Sequence, residues 1–249
     1  MKKYLPVILF IVGLVVLAGV FFFVKGKRDE PTIEEEEETS LIEVPLNERP
    51  VASLYPSEDG HWLKLVIDKI EVDAYSLDYE LLYKLPDGRT QGVPGSLELE
   101  DQGTIERDLL LGSESSGKFR YDEGVENGTL TLRFRNERGQ LLVKFSTEFH
   151  LQNSTDELTS VDDNLRVTLD SASDDFFVTM ETFGYPESPP KEAAAGPYGV
   201  FTSSESTLSG SVELDDLNVF KYVTGQGWGE HEGGEEFASD SNIFIGVSE

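Results

Sequence analysis

None of the 249 residues is cysteine. Disulfides, zinc ribbons, iron–sulfur clusters and thiol nucleophiles are therefore excluded together. Histidine is scarce: His61, His150 and His231 lie far apart along the chain. A Ser-His-Asp arrangement would need long-range folding to assemble, and neither G-x-S-x-G nor H-E-x-x-H occurs. Positive charge is also short, with 20 Lys and Arg against 48 Asp and Glu. Five of the basic residues (Lys2, Lys3, Lys25, Lys27 and Arg28) precede the first acid, so residues 29–249 carry a balance of −33. A surface that acidic repels phosphate backbones and anionic headgroups, and we expect no nucleic-acid partner. Helical periodicity long enough for a βαβ unit is missing too.

One long hydrophobic run is present. Tyr4 to Val24 spans 21 residues without a charge. As a helix it would be about 30 Å long, enough to cross a bilayer core. It exceeds the usual apolar core of a cleaved signal peptide, and no A-x-A site follows it. Leu17-Ala18-Gly19 opens like a lipoprotein box, but position 20 is Val, so the sulfur that would carry lipid is absent. We expect an uncleaved signal anchor at 4–24 with a short cytoplasmic tail at 1–3. The chain would then be a single-pass cell-membrane protein with its C-terminal bulk extracytoplasmic.

Residues 25–58 read as an acidic, proline-containing stalk. Glu34 to Glu38 repel one another, and prolines at 31, 45, 50 and 56 block regular pairing. From His61 the pattern has period two. Leu63, Leu65 and Ile67 alternate with other residues, as do Leu77, Tyr79, Leu81, Tyr83 and Leu85. Leu130, Leu132 and Phe134 continue the pattern, followed by Leu141, Val143, Phe145 and Phe149. Such alternation places one set of side chains on a core face. Pro86-Asp87-Gly88, Asn127-Gly128 and Asn136 to Gly139 read as turns between these strands. We expect an all-β fold, an antiparallel β-sandwich, Ig-like or similar, as one large or two tandem units behind the N-terminal helix. The boundaries would be 59–153 for a first sandwich and 154–164 for an acidic linker. Residues 165–249 would be a second β-rich domain or a continuation of the first, ending in a loose Gly-rich acidic tail.

Gly112 to Lys118 matches seven of the eight positions of a G-x-x-x-x-G-K-[ST] phosphate loop. Position 119 is Phe, which removes the hydroxyl that would hold magnesium, and strand-and-turn sequence follows where a helix is required. We expect a Ser/Gly loop between strands and no nucleotide. Calcium is the best metal alternative, because hard cations take clustered oxygen ligands. Asp162-Asp163-Asn164, Asp170 with Asp174-Asp175, Asp215-Asp216 with Asn218, and Asp240 with Asn242 are the clusters concerned, and none fits the D-x-[DN]-x-[DN]-G loop. No residue qualifies from sequence as catalytic, as cofactor-binding or as a metal ligand, and no cofactor is expected.

The segment "TQGVPGSLEL…IERDLLLGSESSGKFRYDEGVENGTLTLRFRN…LLVKFSTEFHL" (Thr90 to Leu151) resembles a β-domain of uncharacterised single-span membrane proteins of small-genome bacteria. It covers about a quarter of the chain. The resemblance implies an exported bacterial domain and brings no activity and no site residues with it. The expected function is a non-enzymatic interaction or envelope-structural role, with an envelope or surface protein or a glycan as partner. The alternatives are an envelope enzyme acting on glycans through paired carboxylates, and a calcium-binding surface module.

Overall fold

Period-two sequence becomes paired strand almost everywhere in this computed structural model, which describes residues 41–99, 103–204, 208–231, 235–237 and 242–248. The expected span at 4–24, the tail before it and the stalk up to residue 40 lie outside the described residues. Among the described residues, no helix is long and apolar enough to cross a membrane. Residues 42–249 fall into one compact unit.

A short 3-10 turn, Leu46–Glu48, leads into β1 (Val51–Pro56), β2 (Trp62–Asp68), β3 (Ser76–Lys84), β4 (Thr90–Glu98) and β5 (Ile105–Leu110). A hairpin of β6 (Gly112–Ser115) and β7 (Lys118–Tyr121) follows, then β8 (Asn127–Arg135). Two long strands come next, β9 (Leu141–Thr159) and β10 (Leu165–Glu181). The chain closes with β11 (Ala195–Thr202), β12 (Leu208–Leu214), β13 (Asn218–Val223), β14 (Gly227–Glu230), β15 (Glu235–Phe237) and β16 (Ile243–Val247). The pairings are antiparallel. β1-β2-β5 form a small sheet, and a large sheet runs β14-β13-β16-β11-β10-β9-β8-β3-β4, with β12 and β15 branching from β10.

The alternation read from sequence decides which face is buried. Leu63, Leu65 and Ile67 of the small sheet are fully buried, as are Leu77, Leu81, Leu130, Leu132 and Phe134 of the large one. All eight belong to a single core cluster, so the small sheet covers the β3–β8–β9 region of the large sheet. Each such side chain is worth about 1.5–3 kcal/mol relative to exposure. A second cluster, including Leu158, Leu165, Val167, Phe177 and Phe244, lies under the β10–β12 side. Both long strands serve both clusters: Leu151 and Val178 belong to the first, Leu158 and Val167 to the second.

Four expectations are corrected. The stalk does not extend to residue 58, because Val51–Pro56 is β1, with Ala52 and Leu54 fully buried. Its prolines mislead because β1 is an edge strand and Pro56 ends it, a position where a missing N–H costs little. Asn127-Gly128 is no turn. It begins β8, where a Cβ on Gly128 would sit 2.2 Å from the Leu82 carbonyl oxygen, so glycine is there for close approach. The proposed linker 154–164 is the far half of β9, a tight turn and the start of β10. The acidic stretch 225–242, expected to be loose, holds β14 and β15, and beyond it Ile243–Val247 is a strand buried at every position between β13 and β11. A strand buried on both faces shows no alternation, which hid it in the sequence. The turns at Pro86–Gly88 and Asn136–Gly139 stand as read, with Gly88 and Gly139 at φ of 84° and 76°.

Candidate functional site

The phosphate-loop spacing folds as a hairpin. Ser116 and Gly117 form its two-residue turn, both at positive φ (53° and 74°), the geometry that suits the twist of flanking strands. The chain continues from Lys118 as β7, so no helix N-terminus faces the loop. Register pairs Gly112 with Tyr121, Ser113 with Arg120, Glu114 with Phe119 and Ser115 with Lys118. Residues directly opposite share a face. Phe119, Tyr121, Glu114 and the bare Gly112 therefore lie on one side, and Lys118, Arg120 and two serines on the other. Gly112 has no room for a side chain, since a Cβ would come 2.2 Å from the Arg120 carbonyl oxygen.

The aromatic side meets the start of β2. The His61 and Tyr121 rings stack with centroids 4.2 Å apart and planes within 4°. The Trp62 ring meets Phe119 edge-on at 5.5 Å. The Phe119 and Tyr121 ring centroids are 6.2 Å apart, with planes 10° apart. Phe119 remains 46% exposed and Tyr121 37% exposed. The result is a strip of two nearly parallel rings, each touching one further ring and each partly exposed to water.

Its supports are rigid. In the β1–β2 turn the Ser57 hydroxyl donates to Asp59 Oδ1 (2.6 Å) and accepts from the Trp62 amide (3.0 Å). The His61 amide also donates to Asp59 Oδ1, at 3.1 Å. The Ser57 hydroxyl, opposed by burial and helped by the His61 amide and charge, holds the Asp59 carboxyl below its ordinary range. The Leu111 amide donates to the His61 carbonyl (2.9 Å), and the Asp122 amide to the Leu111 carbonyl (3.0 Å). At the base of the hairpin, the buried Tyr83 hydroxyl donates to Asp122 Oδ2 at 2.9 Å. Burial first, and that carboxylate second, push the Tyr83 phenol well above its ordinary value.

A second locus holds two carboxylates. A depression of about 240 Å³ between the β8–β9 face and the β9–β10 turn is lined by Thr129, Glu148, Asp162, Glu181 and Tyr198, among others. Burial and the Asp162 charge push Glu181 up, and Arg49 opposes them. Burial would raise Asp162 as well, but hydrogen bonds from Ser160, Tyr198 and Asn164 outweigh it and hold that carboxyl low. Carboxyls with pKa values driven apart are what acid–base sites use. Here, however, Asp162 is fully engaged. Oδ1 accepts from the Ser160 hydroxyl and from the Asn164 amide (3.3 Å), and Oδ2 from the Tyr198 hydroxyl (2.6 Å) and the Asn164 side chain (2.8 Å). A carboxylate offers about four acceptor positions, so none is left for a substrate. The volume also falls below the roughly 300–1,000 Å³ of small-molecule sites.

The other oxygen clusters are spread out. Asp170 accepts from Ser209, Asp174 from Ser154, and Asp175 from Ser173. Asp215 and Asp216 form the β12–β13 turn ahead of Asn218, and Asp240 lies outside the described residues. Among the described residues, no three His, Cys, Asp or Glu side chains gather closely enough to hold a metal ion. The three histidines stay apart: His150 Nδ1 lies 2.9 Å from the Thr159 carbonyl oxygen, and His231 meets Phe244 edge-on. No protein-family model, no curated protein and no solved structure matches the chain.

Proposed function

We propose that the chain is a membrane-anchored extracytoplasmic β-sandwich protein that works by binding rather than by catalysis. The span at Tyr4 to Val24 is the tether, and the small sheet stacked on the large one is the sandwich. The observation that carries the binding role is the Phe119–Tyr121 strip. A pair of aromatic rings left partly in water costs solvation, and a hydrogen-bonded frame holds them there. Aromatic anchors with few rotatable bonds contribute contact area at low entropic cost.

The test uses the full chain in mild detergent with envelope fractions from the native cell. Retention of envelope material is expected, and it should drop in a Phe119→Ala/Tyr121→Ala variant whose melting is unchanged. A second reading, an envelope enzyme acting on glycans, is favoured by the placement of Asp162 and Glu181 around one depression, with environments that drive their pKa values apart. Hydrolysis of a glycoside panel that disappears in Glu181→Gln would establish it and remove the first.

A further inference from the structure

We infer that the ligand of the Phe119–Tyr121 strip is a neutral oligo- or polysaccharide; this rests on the binding role proposed above. The two rings are 10° from parallel and 6.2 Å apart, the separation that strand geometry gives to residues two apart on one face. The C–H face of a pyranose ring is flat and apolar and stacks on an aromatic face. Its equatorial hydroxyls point sideways and need polar partners at the edge. Glu114 stands directly across the ladder from Phe119 on the same face, and the imidazole of His61 lies against Tyr121. Two exposed rings with a carboxylate on the same face supply both requirements, while the stacked His61 ring occupies one face of Tyr121.

Charge and shape narrow the choice. Glu114 is the acidic group on the aromatic face, and residues 29–249 carry −33, so phosphorylated and uronate ligands are repelled. Lys118 and Arg120 project from the opposite face of the hairpin, away from the rings. An apolar peptide anchor wants a pocket, and this surface is an open strip on a protruding hairpin. A lipid surface would accept the rings but would draw Glu114 in with them, at the cost of stripping water from a carboxylate. The stack of His61 behind Tyr121 fixes the platform before any ligand arrives, which suits a long, repetitive chain laid across it.

The test uses the full chain in nanodiscs, titrated with neutral oligosaccharides of glucose, N-acetylglucosamine, xylose and mannose, one to six units long. Calorimetry and the fluorescence of Trp62, which touches Phe119, give the readout. Saturable binding to at least one neutral series is expected, tightening from one unit to three and absent for oligouronates. Phe119→Ala or Tyr121→Ala should each weaken it about tenfold, the scale of one aromatic contact, without changing the melting temperature. No saturation by any neutral series at millimolar concentration overturns the saccharide assignment. Co-sedimentation with added lipid vesicles that both alanine variants abolish, without sugar binding, overturns it too, while leaving the binding role intact. Alanine variants that retain envelope material as well as the parent does remove the binding role and the saccharide with it.

Discussion

Replacing Gly128 with alanine asks how closely β3, β8 and β9 approach one another. Glycine inside a strand is ordinarily a weak choice, and alanine there gains about 0.4–1 kcal/mol by restricting the unfolded chain. At this position a Cβ would lie 2.2 Å from the Leu82 carbonyl oxygen and 2.6 Å from Cε1 of Phe149, a ring that is fully buried. Both separations are far inside van der Waals contact, and the first is to main chain, which no rotamer change relieves. Overpacking of this kind costs about 1–3 kcal/mol and sometimes more. The net expectation for Gly128→Ala is a loss of about 2 kcal/mol. For a unit of this size that is a fall in melting temperature of about 4–8 °C, read by circular dichroism and confirmed by urea titration. Phe149→Leu removes the ring contact and leaves the carbonyl contact. The double variant should therefore recover part of the loss, and the cycle should show coupling between the two sites. A Gly128→Ala protein melting at or above the parent would refute the strand approach. Zero coupling would instead show that the Phe149 ring yields to the new methyl and that the Leu82 carbonyl carries the whole cost.

Further outcomes follow from the polar framework. Tyr198→Phe removes one donor to Asp162 and should cost about 1 kcal/mol at pH 7. The fold depresses the Asp162 pKa, so its stabilisation is present above the unfolded value near 3.9 and is lost as pH falls through the folded value; parent and variant should converge in urea melts once pH lies below that folded value. Glu181 is shifted the other way, so its charged form is a penalty above the folded pKa that vanishes below the unfolded value near 4.3. Glu181→Gln should accordingly stabilise slightly at pH 7, by well under 1 kcal/mol because solvent still reaches this partly buried side chain and screens it, and do nothing at pH 3.5. Lys69 Nζ donates to the Asn47 carbonyl (2.6 Å) and the Tyr185 carbonyl (2.9 Å), so Lys69→Ala should speed proteolysis of the 186–194 loop several-fold. Millimolar calcium should leave the melting temperature within about a degree, and a rise of several degrees would reinstate the oxygen clusters as a metal site.

Local pattern carried the first half of the fold well. Leu63 to Ile67, Leu77 to Leu85 and Leu130 to Phe134 alternate because one sheet face is wet, and sequence records that directly. Where both faces are covered the record fades, as in β16, and where proline marks an edge strand it misleads, as in β1. Gly128 shows a third limit: a dipeptide typical of turns is also what close strand approach requires. The aromatic strip was the least legible part. "KFRY" alternates after Ser116-Gly117, which is a local signal for two rings on one face. His61 and Trp62, far earlier in the chain, reach those rings only because β2 pairs with β5, with Trp62 opposite Leu110 and the hairpin just beyond. Nothing in the order of residues announces that pairing.

The two long strands have a mechanical consequence. β9 and β10 cross from one buried cluster to the other without a break, despite shifts of register near Ser173. A chain cut anywhere in 154–164 leaves Leu158 or Leu165 stranded in water and strips a long ladder of its partner. Halves made that way should precipitate rather than fold. Because both clusters draw on the same two strands, neither can lose its packing alone, so the body should unfold in one step.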